Sequence, residues 1–191
     1  ARAAAFAGFL FVRESPRLVA VEEAEPLSSL ARRFGVFPVG VFRDGPIGLV
    51  AGIAKRLKLH AVQLHGSEDA DYVRTLRGQL PEECEIWTAL GVGREPPADR
   101  GGDRLLFDKG HGGSGRTFDW SLVKGHPKLP RAIIAGGIGP HNARVASMLG
   151  ACAIDVGSAV DEHPGRKSPE KITALFESLR PTCREGLRAC A

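Results

Sequence analysis

Residues 104–120 read RLLFDKGHGGSGRTFDW, an apolar run that meets Asp108 and then breaks into four glycines between Gly110 and Gly115. A run that is continuously apolar, without alternation, marks a strand covered on both faces, as in a parallel sheet flanked by helices. The acid at its end and the donor-rich loop behind it allow two readings. The loop folds over a phosphate while the acid does chemistry beside it, or Asp and Gly simply terminate a strand, as they commonly do. The neighbouring sequence decides between them.

Similar runs recur on both sides. With 104–110 they make seven predicted strands: 6–12 (FAGFLFV), 37–42 (FPVGVF), 61–66 (AVQLHG), 85–92 (EIWTALGV), 131–137 (RAIIAGG) and 152–160 (CAIDVGSAV). Helix signals lie between them. VEEAEPLSSLARRF (21–34) carries acids early and arginines late, matching the helix dipole. PIGLVAGIAKRLK (46–58) opens on a proline, and SEDADYVRTLRGQL (67–80) opens on capping residues. GPHNARVASMLG (139–150) and SPEKITALFESLR (168–180) complete the set, while REPPADRGGD (94–103) reads as a loop or short irregular helix. Strands alternating with helices at this spacing predict βαβ units and a parallel sheet. A doubly wound dinucleotide fold lacks its signature, since no GxGxxG follows the first strand and no acidic ribose ligand follows the second. An eight-stranded α/β barrel is the other candidate, and the chain is one strand short of it.

The bulk properties fit one soluble domain. The chain has 191 residues, 43% hydrophobic and 25% charged, and its net charge of +4 comes from scattered Lys and Arg. One Tyr and two Trp leave no aromatic-basic interleaving of the kind that binds nucleic acid, whereas mild basicity suits small anionic substrates. No apolar run is long enough to cross a membrane. In the opening ARAAAFAGFLFVRESPR, FAGFLFV is read as a strand and not as part of a signal peptide, because charge, not a small-residue cleavage site, follows it, and ARAAAF looks like the end of a first helix. Cys84, Cys152, Cys183 and Cys190 have no metal-ligand spacing, so no metal site is expected. Reduced thiols and a cytoplasmic location are expected instead.

In an α/β barrel, chemistry sits at the C-terminal ends of the strands. The unusual polar and small residues gather there: Arg17 past the first strand, Gln63 and His65 at the third, Asp108 at the fifth, Gly136 and Gly137 at the sixth, Gly157 and Ser158 at the seventh. Small residues before a helix let backbone N–H groups approach a phosphate. Each residue alone also has a plain structural reading. His65 can be a hydrogen-bonded core histidine, Arg17 a surface cation, Asp108 a loop cap, and the glycines mere tight turns. Asp119 reads as an N-cap and 161–167 (DEHPGRK) as a solvated turn.

Taken together, SPR, VGVF, AVQLHG, FDKGHGGSGRTFDWSLV, AGGI and SAVDEHPGRK occur in an order that resembles the phosphoribosylanthranilate isomerase family of tryptophan biosynthesis. The resemblance runs from Phe9 to Leu179 and implies a (βα)8 barrel. It implies the Amadori rearrangement of N-(5-phosphoribosyl)anthranilate to 1-(2-carboxyphenylamino)-1-deoxyribulose 5-phosphate, with no cofactor. Asp108 matches the general acid and Arg17 the arginine beside the anthranilate carboxylate. Gln63, His65 and the loop residues Gly112, Gly113, Ser114 and Gly115 match substrate-binding positions, and Gly136, Gly137, Gly157 and Ser158 match the phosphate site. IWTALGVG and SAVDEHPG look most like the isomerase part of proteins fused to indole-glycerol-phosphate synthase.

The sequence departs from the family at one point. The family's general base is a cysteine in a K-x-C-G motif ending the first strand, and these 191 residues contain no such motif. The expectation is a barrel lacking its first strand and most of its first helix, with residues 1–180 as one domain and 181–191 as a poorly ordered polar tail. Little or no turnover is then expected. Cys84 and Cys152 sit at the starts of strands, the wrong end for catalysis, and a base role for Cys183 would require the tail to fill the gap. A non-catalytic phosphate-ligand-binding or structural module of a fused protein, or another phosphate-binding barrel isomerase, are the alternatives.

Overall fold

The computed structural model describes residues 4–93, 100–109 and 117–180. The strands are β1 (Phe6–Leu10), β2 (Phe37–Phe42), β3 (Ala61–Leu64), β4 (Glu85–Gly91), β5 (Arg104–Asp108), β6 (Ile133–Ile134) and β7 (Ala153–Ile154). All seven runs form strands, although β6 and β7 keep only two residues of each longer run. The pairing is parallel throughout, and the spatial order from β1 to β7 is the order of the chain. Ala4 and Ala5 lead into β1 without helical structure, so the remnant of a first helix expected at the start is not seen at those two positions.

The helices between them are α1 (Val21–Arg33), α2 (Ile47–Leu57), α3 (Ala70–Arg77), α4 (Ala143–Ser147) and α5 (Pro169–Ser178). Their ends follow local chemistry. In α3 the Asp69 carboxylate accepts from the Tyr72 N–H at 2.8 Å, and in α5 Ser168 caps Lys171 at 3.2 Å ahead of Pro169. Helix α4 is shorter than the predicted 139–150. Asn142 accepts from Gly139 N–H at 2.8 Å and donates to Gly137 C=O at 3.0 Å, a side-chain closure that competes with helical pairing. After β5 there are only short 3-10 turns, Trp120–Val123 and Leu129–Arg131, the first capped by Asp119 as its position predicts.

The strands use their two faces differently. Leu105 and Phe107 of β5 pack outward with Val123, Leu129 and Ala143, whereas Leu106 packs inward with Val39, Ala61, Trp87, Ile133 and Ala135. Phe6 of β1 and Ala153 of β7 pack against that inner cluster, so all seven strands meet in it. A flat sheet does not bring its edge strands to one cluster, so this sheet is curled, as in a barrel wall. Contacts between non-adjacent strands agree. The Phe6 and Trp87 rings, on β1 and β4, meet edge-on with centroids 5.0 Å apart. This is a TIM-barrel-like α/β fold with seven strands. Among the described residues, no helix is long and apolar enough to cross a membrane.

A second, two-stranded sheet follows β7. Strand β8 (Asp161–His163) pairs antiparallel with β9 (Arg166–Lys167) across a Pro164–Gly165 turn, with Gly165 at φ +89°. The reading of 161–167 as a solvated turn holds for Glu162–Lys167, which are exposed, but not for Asp161, which is only 6% exposed.

At the opposite end of the strands, Arg104 donates from Nε and Nη2 to the Glu85 carboxylate at 2.6 and 2.9 Å. Trp87 Nε1 adds a third hydrogen bond to Glu85 at 2.6 Å. The Arg104 hydrogen bonds, working against burial and assisted by Trp87, pull the Glu85 pKa down to about 2. A carboxyl depressed this way in the folded state stabilises the fold above its unfolded pKa of roughly 4.5, and the contribution fades as pH falls toward 2. Glu85→Gln is therefore expected to cost about 2–3 kcal/mol at neutral pH. The mutant should also show a shallower loss of stability between roughly pH 4.5 and 2, measured by denaturant unfolding across that window.

Candidate active site

The inward parity of each strand continues past its end and selects what lines the mouth. On β3, Ala61 faces inward and Gln63 is two residues on; on β5, Leu106 leads to Asp108; after β7, Ala153 leads to Asp155. The hydrogen bonds confirm the convergence. Gln63 Nε2 lies 2.5 Å from His65 Nε2 and 3.4 Å from Asp155 Oδ2, bridging β3 to the chain after β7. With the Gln63 amide nitrogen as donor, a neutral His65 accepts on Nε2 and carries its proton on Nδ1. Burial lowers the His65 pKa and outweighs the pull of the Asp155 and Asp108 carboxylates, with Arg43 acting in the same direction as burial. The imidazole is accordingly neutral at pH 7.

Asp108 closes β5 with 8% of its surface exposed, and Oδ1 accepts from the Lys109 N–H at 2.6 Å. Beside it, Gly136 sits at φ +82°, where a Cβ would lie 2.5 Å from Asp108 Oδ1. The backbone of β6 thus approaches the carboxylate as closely as only glycine permits. Gly137 follows at φ +64°, so two successive left-handed residues shape the turn ahead of α4. Gly157 and Ser158 are exposed at the start of the short 3-10 turn Ser158–Val160, and Lys167 Nζ donates to Gly157 C=O at 3.0 Å. A cleft of about 500 Å³ opens next to β5, lined by Val92, Gly93, Lys109, Thr117, Phe118 and Asp119.

Arg17 lies in the turn after β1, at the same end of the sheet. Its Nε donates to Asp161 Oδ2 at 2.7 Å. The structure therefore gathers Gln63, His65, Asp108, Gly136 and Gly137 around the strand ends, with Arg17 at the β1 edge and Gly157 and Ser158 beyond β7. Gly112, Gly113, Ser114 and Gly115 lie outside the described residues, as do Cys183 and Cys190.

Asp155 escaped the sequence reading, although its signal was available: CAIDVG repeats the pattern of LLFDKG, an apolar run ending in an acid. Glu68 was also missed. It is 4% exposed and accepts from the backbone N–H groups of Asp44 and Gly66 at 2.7 and 2.8 Å, tying the loops after β2 and β3 together below His65. Nothing in the sequence around Glu68 separates it from the exposed acids of the same helix start.

Cys84 and Cys152 precede β4 and β7, at the opposite end from Asp108. Burial pushes the Cys84 thiol up to about 11, with Arg77 opposing. Cys152 is exposed. Alkylation of the folded chain near pH 7.5, mapped by mass spectrometry, should label Cys152 while Cys84 stays unmodified until denaturant is added. No group of His, Cys, Asp and Glu fit to hold a metal occurs among the described residues.

A curled parallel sheet with a buried acid at one strand end and glycine turns after its last two strands defines a TIM-barrel-like α/β protein, and the candidate site lies at the C-terminal ends of the strands. The comparisons specify the family. Residues 1–178 match the family described as N-(5'-phosphoribosyl)anthranilate (PRA) isomerase, and the chain belongs to it. The chain is 43% identical over 179 residues to the tryptophan biosynthesis protein TrpCF of Yersinia pestis, covering 93% of this chain but 37% of that protein. Thus it spans a little over a third of the length of that relative. Among solved structures, phosphoribosyl anthranilate isomerase from Thermus thermophilus superposes with a TM-score of 0.80 at 33% identity, covering 92% of this chain and 88% of that one. A phosphoribosyl anthranilate isomerase in complex with reduced 1-(o-carboxyphenylamino)-1-deoxyribulose 5-phosphate gives 0.75 at 28% identity, with 92% and 87% covered.

Proposed function

We propose that this chain is the isomerase unit of tryptophan biosynthesis, converting N-(5-phosphoribosyl)anthranilate to 1-(2-carboxyphenylamino)-1-deoxyribulose 5-phosphate. The observation that carries the reading is Asp108, a buried carboxyl on a strand end, pressed by the Gly136 backbone, in a member of this family. The reaction needs an acid to protonate the ribose ring oxygen as the ring opens, then a base to remove the proton from C2 of the Schiff base. Asp108 is the acid. Arg17 receives the anthranilate carboxylate, for which a guanidinium fork is a natural partner. Gly136, Gly137, Gly157 and Ser158 hold the phosphate through backbone N–H groups. Gln63, His65, Gly112, Gly113, Ser114 and Gly115 contact the sugar and the ring.

In this reading the seven strands correspond to the second to eighth strands of the family barrel. The strand with the K-x-C-G cysteine belongs between the β1 and β7 edges and is not among these 191 residues. Residues 1–180 are the barrel domain and 181–191 a polar extension, and the domain works in the cytoplasm, fused to indole-glycerol-phosphate synthase. The likeness to the much longer TrpCF supports the fusion. Loss of phosphoribosylanthranilate fluorescence tests the activity. The 191-residue chain alone should give little or no turnover, and a chain preceded by a K-x-C-G strand should turn over. Ligand binding without turnover in that longer chain would favour the second reading, a phosphate-ligand-binding module, which the missing motif keeps in view.

A further inference from the structure

The hairpin β8–β9, which follows β7, packs on the turn after β1 that carries Arg17. Two separate contacts make this junction. Asp161, 6% exposed, accepts from Arg17 Nε at 2.7 Å, and Gly165 at the hairpin tip packs so closely that a Cβ there would stand 3.3 Å from Pro16 C=O. The hairpin is itself anchored. Lys171 Nζ of α5 donates to Asp161 C=O at 2.6 Å, and Lys167 Nζ lies 2.7 Å from Asp161 Oδ1. Residues 144 positions apart are thereby fixed to each other. The Arg17 turn has its own internal bonds, with the Arg17 N–H donating to Ser15 Oγ at 3.1 Å, but none of these engages the guanidinium.

The guanidinium uses only part of its donor set. Arginine offers five N–H donors, one on Nε and four on the two Nη atoms. Asp161 occupies the Nε donor, while Nη1 and Nη2 donate to none of the described residues. Among the described residues nothing occupies the end-on edge of the fork, the edge that grips a carboxylate with two parallel hydrogen bonds. Only 22% of the Arg17 side chain is exposed, so that edge is held in a restricted space and does not sweep through solvent. Burial disfavours a charged Asp161, but Lys167 and Arg17 outweigh it and keep the carboxyl below the ordinary aspartate range.

We propose that Asp161 is a positioning residue for ligand recognition: it anchors Arg17 through Nε so that the paired Nη groups present a preset fork to the ring carboxylate of the substrate. The role rests on the isomerase reading given above. Asp161 touches no reacting atom, and its effect passes wholly through Arg17. It governs selection for a carboxylated aromatic ring over the same ring without the acid.

Calorimetric titration of the 191-residue chain with two probes tests this. One is reduced 1-(o-carboxyphenylamino)-1-deoxyribulose 5-phosphate, and the other is the same compound lacking the ring carboxylate. The unmodified chain should bind the carboxylated probe about 10- to 100-fold more tightly, the range of one charge-assisted contact. Asp161→Ala should erase most of that difference while leaving affinity for the other probe unchanged. Arg17→Ala should do the same, and the double variant should lose nothing further. Asp161→Glu should restore part of the preference. Asp161→Asn keeps an acceptor for Nε without the charge, so it should give an intermediate loss confined to the carboxylated probe, and it supplies the answer if the alanine variant does not fold. Equal weakening toward both probes would reduce Asp161 to a structural role and overturn the proposal, as would losses that add to those of Arg17→Ala. Failure of the unmodified chain to bind either probe would instead remove the isomerase reading, and the proposal with it.

Discussion

Asp108→Asn is expected to remove at least about 100-fold of isomerase turnover in a chain completed with a K-x-C-G strand, within the usual range for losing a positioned general acid. The amide has the shape of the carboxyl and can still accept from the Lys109 N–H, which holds Oδ1 at 2.6 Å. What it lacks is a transferable proton for the ring oxygen. Stability should change little, because that hydrogen bond survives and Asp108 has no ion-pair partner among the described residues. The measurement is the decay of substrate fluorescence beside a thermal unfolding curve. Full turnover in Asp108→Asn would move the acid elsewhere, and Asp155 would be the first carboxyl to replace.

The second large effect falls on Gly136. Replacing it by Ala adds a Cβ 2.5 Å from Asp108 Oδ1 and 3.2 Å from Lys109 N, at a backbone φ of +82°. The left-handed backbone alone costs about 1–2 kcal/mol for a residue with a side chain. The contact with Asp108 adds to it, because the carboxylate has to rotate and give up its hydrogen bond to Lys109. A loss of about 2–4 kcal/mol is expected, read as a fall in Tm of several degrees. Turnover of the surviving folded fraction should fall as well, since the new methyl group occupies the place where Asp108 now stands. Gly150, also left-handed at φ +91° but with nothing within 4 Å of an added Cβ, is the control. Gly150→Ala should show only the backbone cost and no loss of turnover.

These two residues also show what the sequence made legible. The seven strands were readable because burial on both faces writes an unbroken apolar run, as in Leu105–Phe107, and the acid at the end of such a run is conspicuous. Which face that acid adopts was not readable, since a run without alternation carries no parity. Only the inner packing of Leu106 against Val39, Trp87 and Ile133 puts Asp108 on the inside. Asp155 carries the same signal but was passed over because the run 152–160 continues beyond it, so the acid did not look like a strand end. Asp161 was hidden differently. DEHPGRK is composed like a solvent-facing turn, and the partners that bury its first residue, Arg17 and Lys171, are 144 and 10 positions away. A local pattern cannot carry information about a partner that tertiary folding supplies.

The matching of spatial and chain order in the main sheet bears on how the molecule comes off the ribosome. Each strand that emerges finds its partner already in place, the strand just before it in the chain, so the sheet can grow at its leading edge during synthesis without waiting for distant segments. Contacts across the mouth depart from that order: the junction of Arg17 with Asp161 joins residues 144 positions apart, so it waits for the hairpin that follows β7. The turn that carries Arg17 is thus anchored to Asp161 only after all seven strands of the main sheet have been made. The sheet is therefore in place before the Arg17 guanidinium is held.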